Sequence, residues 1–265
     1  MIYPASFEQK IGFDRLREQV AALTTMPSAH RRIEEEQFST SPREIERRLQ
    51  LADEMRQLLM MEYDFPGGEY ADVEGVVQKL AVEGTFLDVE EVVTLLSALR
   101  TVGEVVRFIR GRETHYKALY ALTRGVESFP HLVERMERVV DSDSSIRDTA
   151  SDELYAIRRS IREREGQAAK RLQQVLQAAK RAGIVEADAQ LSVRDGKTVI
   201  PVSAANKRKL AGFIHDESAT GRTFYVEPVE VVELNNELKE LEYAERREIV
   251  RILTLLTEDI RPEAP

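Results

Sequence analysis

The sequence predicts a mainly α fold: a helical core domain, then two long antiparallel helices carrying a small β-rich insertion at their tip. Three observations predict it. Charged residues make up 32% of 265, aromatics only 6%, and Trp is absent, the composition of long, partly exposed helices. Two segments of equal length, 150–182 and 228–260, repeat apolar residues every three to four positions. Between them, over 183–227, the period drops toward two.

The N-terminal part, 1–149, reads as helices with short breaks. Phe7, Ile11, Leu16, Val20 and Leu23 have an amphipathic spacing that predicts a helix over 7–23. Ser41-Pro42-Arg43-Glu44 puts an N-cap Ser before a Pro at the first helical position, with Glu three residues after the cap. The helix it opens runs to about residue 61. Asp64-Phe65-Pro66-Gly67-Gly68 is a strong breaker. Asp88 caps a helix over 89–108, with Glu91 completing a capping box. Phe129-Pro130 and the polar cluster 141–145 mark further breaks.

Ser151 begins the clearest helix. Leu154, Ile157, Ile161, Ala168, Leu172, Val175 and Ala179 form its stripe, interrupted by Glu165. At 1.5 Å per residue the stretch 150–182 reaches about 50 Å. Gly183 is a natural stop after Lys180 and Arg181. Strands are predicted over 190–194 and 198–202 around Asp195-Gly196, a pair favoured in type I′ hairpins. Two more are predicted over 213–215 and 223–226, with Thr220-Gly221 between them. Residues 204–210 read as either a short helix or a basic loop. Pro228 then opens the second long helix, with one stripe of Val231, Leu234, Leu238 and Leu241. A second stripe, Ile249, Leu253, Leu256 and Ile260, follows Glu245. Two equal helices flanking one insertion pair most economically antiparallel. Net charges of +4 over 150–182 and −5 over 228–265 are compatible with that pairing, although exposed ion pairs add little each.

The absence of Cys excludes disulfides, thiolate metal sites and Cys nucleophiles. No apolar run approaches the roughly 20 residues that span a bilayer, and residues 1–10 lack a signal-peptide pattern. A cytoplasmic protein without a membrane partner is expected. The net charge of −9 argues against nucleic-acid binding by the whole chain, but 183–227 is neutral and its cations cluster.

Lys207-Arg208-Lys209, near the predicted tip, are candidates for phosphate contact, with Arg194, Lys197 and Arg222 as additions to the same face. The competing reading is a solvated charge run that keeps a β-edge soluble. His215-Asp216-Glu217-Ser218 has the residue types of a catalytic relay, but neighbours on a strand point to opposite faces. A turn held by the Asp216 and Ser218 side chains on backbone amides is the better reading. His30, His115 and His131 are scattered. Arg158, Arg159, Arg162 and Arg164 spread around their helix and read as a solvated face paired with the acidic helix. No group has metal-ligand spacing, so no catalytic residue, metal site or cofactor is predicted in these residues.

Several strings together resemble a known pattern. They are Met1-Ile2-Tyr3-Pro4, then Phe7-Glu8-Gln9-Lys10-Ile11-Gly12-Phe13, and Glu83-Gly84-Thr85-Phe86-Leu87. Arg194-Asp195-Gly196-Lys197, Val199-Ile200-Pro201-Val202, the run from His215-Asp216-Glu217-Ser218 through Ala219-Thr220-Gly221-Arg222-Thr223, and Glu227-Pro228 complete them. The whole chain resembles the start of the bacterial MutS-II proteins, paralogues of the mismatch-repair protein MutS. The resemblance implies that 1–149 is a core domain, that 150–182 and 228–260 are lever helices, and that 183–227 is a clamp domain. It further implies a homodimeric full-length protein with an ABC-type ATPase domain using ATP and Mg, usually with a C-terminal Smr nuclease domain. The implied partners are DNA, above all branched recombination intermediates, or collided ribosomes and their rRNA. No G-x-x-x-x-G-K-[S/T] occurs in this sequence; Gly221-Arg222-Thr223 lacks the upstream Gly and the Lys. The chain is therefore expected to be the N-terminal piece of a longer protein and not itself an enzyme. A reading from a different class is a coiled-coil protein–protein interaction arm without intrinsic nucleic-acid affinity, which the acidic total favours.

Overall fold

The computed structural model describes residues 6–67, 70–141 and 143–264. The string Met1-Ile2-Tyr3-Pro4, and Gly68 and Ser142 within two of the breaks, lie outside the described residues. The protein is mainly helical, at 61% helix, with a small four-stranded antiparallel sheet. It divides into two compact units, Met1–Arg147 with Ile252–Pro265, and Asp148–Arg251.

The first unit contains α1 (Phe7–Ile11), α2 (Phe13–Ala21), α3 (Pro27–Glu34), α4 (Pro42–Met61), α5 (Glu74–Leu80), α6 (Val89–Arg110), α7 (Lys117–Thr123) and α8 (Pro130–Val139). The last turns of α10 (Val229–Ile260) also belong to it. The one helix predicted over 7–23 is two, because Gly12 takes a left-handed φ of 73° that ends α1 and begins α2. Asp88 does cap α6 with a complete capping box. Its carboxylate accepts the Glu91 amide at 2.9 Å, and Glu91 Oε2 accepts the Asp88 amide at 2.8 Å. Ser41 makes only half of such a box. Its Oγ accepts the Glu44 amide at 3.5 Å, but the Glu44 carboxylate is taken by Arg47 and Arg48.

Leu58 of α4 packs with Ile109 of α6 and with Tyr116 and Leu119 at α7. The buried Glu54 closes this core. Its Oε2 accepts the amides of Ala118 at 2.8 Å and Leu119 at 3.0 Å, where α7 has no side-chain cap of its own. A carboxylate there satisfies two orphan donors and complements the positive end of the helix. Near the end of α10, Thr257 Oγ1 accepts the Leu87 amide at 2.9 Å and donates to the Leu253 carbonyl at 2.7 Å. Arg261 donates to the carbonyls of Leu80, Val82 and Thr85, so the loop after α5 is tied down by its backbone.

The second unit contains α9 (Asp152–Arg181), β1 (Ser192–Arg194), β2 (Lys197–Ser203), β3 (Gly212–Glu217), β4 (Thr223–Pro228) and residues 229–251 of α10. Ser151 caps α9 by accepting the Leu154 amide at 3.0 Å. Gly183, at φ 66°, ends it in a Schellman arrangement: Ile184 N bonds Ala179 O at 2.9 Å and Gly183 N bonds Lys180 O at 3.1 Å. Helices α9 and α10 run antiparallel, because their contacts pair Ser151 with Glu248, Arg158 with Glu245, and Arg164 with Glu237.

The sheet order is β1-β2-β4-β3, antiparallel throughout. Asp195 and Gly196 both have positive φ, 49° and 74°, as a type I′ turn demands. Residues 204–210 are successive turns and not a helix. Pro228 is the last residue of β4, and α10 begins directly at Val229. One sheet face, with Ile200, Val202 and Val226, packs on Leu172, Val175, Leu176 and Ala179 of α9 and on Val231 of α10. Among the described residues no helix is long and apolar enough to cross a membrane.

Strand β3 approaches β4 so closely at Gly212 that a Cβ there would lie 2.2 Å from the Glu227 carbonyl oxygen and 2.7 Å from Val226 Cγ1. Both are fixed in a strand, so neither yields cheaply. Gly212→Ala is expected to cost about 1–3 kcal/mol in urea unfolding through overpacking. A change below about 0.5 kcal/mol, the usual range for a neutral surface substitution, would mean that β3 moves aside freely.

Candidate nucleic-acid interface

Strand β2 ends at Ser203, opposite Thr223 where β4 begins. The Ala204 amide then bonds the Arg222 carbonyl at 2.9 Å, so Arg222 stands beside the start of the 204–210 turns. The turns are held by Asn206 N to Ser203 O at 2.9 Å and Lys209 N to Asn206 O at 2.8 Å. The Asn206 amide group also donates to the Ile184 carbonyl at 3.0 Å, and Leu210 is buried in the core. With its backbone and two of its side chains used inward, the segment leaves Lys207, Arg208 and Lys209 exposed. Lys207 Nζ lies over the Phe224 ring, 4.3 Å from its centroid. Among the described residues Arg208, Lys209 and Arg222 have no acidic partner.

Lys197 opens β2 at its other end, about 20 Å from Ser203 at the rise of a strand, and Arg194, the last residue of β1, pairs with it. Both are engaged by the sheet itself. Arg194 Nε lies 3.0 Å from Asp216 Oδ2, and its guanidinium stacks 4.0 Å from the Tyr225 ring centroid. Lys197 Nζ donates to Glu227 Oε2 at 2.5 Å. The structure thus gathers Lys207, Arg208, Lys209 and Arg222 at one end of the sheet, while Lys197 at the other end and Arg194, which reaches across to Tyr225 and Asp216, are taken up by acids of the sheet.

Sequence reasoning missed Glu227. Its side chain is 1% exposed, yet it accepts Lys197 Nζ at 2.5 Å, His215 Nε2 at 2.6 Å and Asn235 Nδ2 at 2.6 Å. Burial pushes the Glu227 pKa up, but the hydrogen bonds from Lys197, Asn235 and His215 and the Lys197 charge outweigh it, so the net shift is downward. The carboxylate is therefore ionised and joins the start of β2, the bulge of β3 and the second turn of α10. One signal was present in the sequence: Glu227 is the one acid in the apolar run Phe224-Tyr225-Val226-Glu227-Pro228.

The His215-Asp216-Glu217-Ser218 segment is a bulge followed by a turn. The register shifts between Ile214 and Asp216. Asp216 Oδ1 accepts the Glu217 amide at 2.8 Å, and Ser218 Oγ accepts the Thr223 amide at 3.0 Å, so both side chains serve the backbone. His215 turns away from them onto Glu227. The arginines Arg158, Arg159, Arg162 and Arg164 of α9 are held by acids: Arg158 by Glu245 and Asp148, Arg162 by Asp148, Arg164 by Glu237 and Arg159 by Glu163. Among the described residues no three His, Cys, Asp or Glu side chains are placed to hold a metal ion.

No family model matches the chain. Curated relatives do. Endonuclease MutS2 of Thermomicrobium roseum is 35% identical over 255 residues, covering 95% of this chain and 32% of the relative. Endonuclease MutS2 of Pelotomaculum thermopropionicum is 29% identical over 257 residues, 97% of this chain and 32% of the relative. The protein of the same name from Aquifex aeolicus is 27% identical over 251 residues, 95% and 32%. The chain therefore resembles these proteins along nearly its whole length but spans only 32% of theirs.

Glu227→Gln keeps the shape but removes the charge that Lys197 and His215 share. At neutral pH it is expected to cost roughly 3–5 kcal/mol, because the Lys197 ammonium loses its buried counter-charge. A depressed folded pKa contributes stability that is complete above the unfolded value, about 4.3, and is lost as pH falls through the folded value. The stability gap between wild type and variant should thus narrow below about pH 4. Urea unfolding across the acid range checks this; a gap independent of pH would remove the carboxylate charge from the account.

Proposed function

We propose that this chain is the core, lever and clamp part of a MutS2-like protein, and that it grips nucleic acid through phosphates without reading sequence. The observation that carries this reading is the end of the sheet where Arg208, Lys209 and Arg222 are exposed and unpaired beside Lys207. Cations already satisfied by carboxylates gain little from a phosphate; unpaired ones release condensed counterions on binding. Exposed lysine and arginine side chains on turns suit phosphate oxygens, contacts that position a ligand without reading its sequence. On this reading α9 and α10 are the levers, and the sheet with its turns is the clamp. An ATPase domain outside these residues, using ATP and Mg in a homodimer, would open and close two such arms around branched DNA or around the rRNA of a collided ribosome. The MutS2 relatives, which bear the name endonuclease, support DNA as the first ligand to test.

The net charge of −9 favours a second reading, a coiled-coil arm that docks on a protein partner. One titration separates the two. Fluorescence anisotropy with duplex, single-stranded and four-way-junction DNA over a range of salt should show binding that weakens as salt rises. Replacing Lys207, Arg208 and Lys209 with Glu should lower the slope of log K against log salt by roughly 2–3, with Arg222→Glu removing about one more. Binding that keeps its slope in the variant would move the contact elsewhere. Absence of binding even at low salt, together with no co-sedimentation with ribosomes, would leave the protein-docking arm.

A further inference from the structure

The helix pair is fastened at both ends and loose between them. At one end of α9, Leu172, Val175, Leu176 and Ala179 are buried in the core under the sheet; at the other Leu154 is buried. Between 155 and 171 no residue of α9 is buried. The same holds for α10 between 232 and 247, the stretch that lies opposite it. Each end also has a buried carboxylate. Glu227 fastens the sheet to α10 through Asn235, and Glu248, 4% exposed, accepts Ser151 Oγ at 2.6 Å.

In between, the apolar residues Ile157, Ile161, Ala168, Leu234, Leu238 and Leu241 are only half-buried, and the contacts that cross are ion pairs. Arg158 bonds Glu245 at 2.6 Å, and Arg164 Nε lies 2.9 Å from Glu237 Oε2 without the alignment of a hydrogen bond. A cleft of about 560 Å³ opens there, lined in part by Arg164, Gln167, Glu237 and Leu241. Partly exposed pairs of this kind contribute little and are screened by salt.

Gly166 lies in this same stretch, in the interior of α9. A Cβ built on it would meet nothing within 4 Å. No close approach therefore calls for glycine there, and an alanine would fit untouched. Glycine lowers the local helix equilibrium about five-fold relative to alanine. The weakest helix former of α9 thus coincides with its unpacked segment.

We infer that the helix pair has a built-in flexing point, centred on Gly166 and the Arg164–Glu237 contact. About it the sheet end moves as a body relative to the end near Ser151, more freely as salt rises. That such motion sets the opening of a nucleic-acid grip rests on the function proposed above. The flexing point itself does not, since it follows from packing and helix propensity alone.

Hydrogen exchange of the intact chain, followed by mass spectrometry at about 0.1 M and about 1 M salt, where screening lengths are about 10 Å and about 3 Å, tests it. Amides over 160–170 and 236–244 should exchange faster than those over 172–179, with the gap widening at high salt. Gly166→Ala should slow exchange over 160–170 about five-fold and leave 172–179 unchanged. The absence of native Cys permits spin labels at Ala156→Cys and Thr220→Cys, whose distance distribution should narrow in the Gly166→Ala background. Middle amides as protected as the ends at both salts, or a distance distribution that Gly166→Ala leaves as broad as before, would overturn the inference. Loss of nucleic-acid binding by the basic turns would leave these readouts unchanged, so the two proposals fail separately.

Discussion

A charged carboxylate that is 1% exposed dictates how the small sheet is built. Removing a carboxylate from water costs several kcal/mol even after the protein relaxes. Glu227 offsets that cost with three donors at 2.5–2.6 Å, and each comes from a different element: Lys197 from β2, His215 from β3 and Asn235 from α10. The donors can converge only if β3 carries its bulge and if β4 runs directly into α10. Gly212 belongs to the same requirement, because β3 must lie against the Glu227 backbone for His215 to reach its side chain. The glycine, the bulge and the direct run of β4 into α10 together bring three donors to one ionised group.

The same principle organises the helix pair. Ser151 caps α9 and donates to Glu248, whose pKa is held down chiefly by the hydrogen bond from Arg251, against burial. The capping residue of one helix is thereby bonded to a buried acid of the other, so the start of α9 and its docking form together. Between Glu227 and Glu248 the contacts change character, from buried carboxylates with several donors to exposed ion pairs such as Arg164–Glu237. Breaking a buried pair costs far more than breaking a solvated one, so the buried carboxylates at the two ends hold more firmly than the pairs between them.

Local chemistry was legible in the sequence. The capping box at Asp88, the helix start at Ser151, the stop at Gly183 and the Asp195-Gly196 turn each depend on residues within a few positions of one another, and each is present. The interruptions at Glu165 and Glu245 were visible too, and they mark the unpacked middle of the pair. Non-local choices were not legible. Glu227 meets partners 8, 12 and 30 residues away, and nothing in the spacing says which of the six cations of the insertion it would take. Sequence analysis grouped Arg194 and Lys197 with the basic triplet; strand register, which decides that Lys197 faces Glu227 and that Arg194 reaches Asp216, lies beyond any local signal. The Gly12 break was missed for a related reason: an amphipathic stripe persists across a single left-handed residue.

An acidic chain that presents a few unpaired cations constrains how a polyanion could approach. With a net charge of −9, the long-range field repels phosphate from most directions at low ionic strength. At physiological salt the screening length is about 8 Å, so the distant acids count for little and the neighbourhood of Arg208, Lys209 and Arg222 decides. Near contact, Lys207 is steadied over Phe224 and Asn206 fixes the turns to the end of α9, so the cations are presented from a braced backbone and not from a free tail. If phosphates are gripped as proposed, geometry discriminates: a ligand must bring them to this end of the sheet without pressing others against the acidic α10. On the function proposed above, such a site is approached by a ligand from its own end of the sheet, away from the acidic α10.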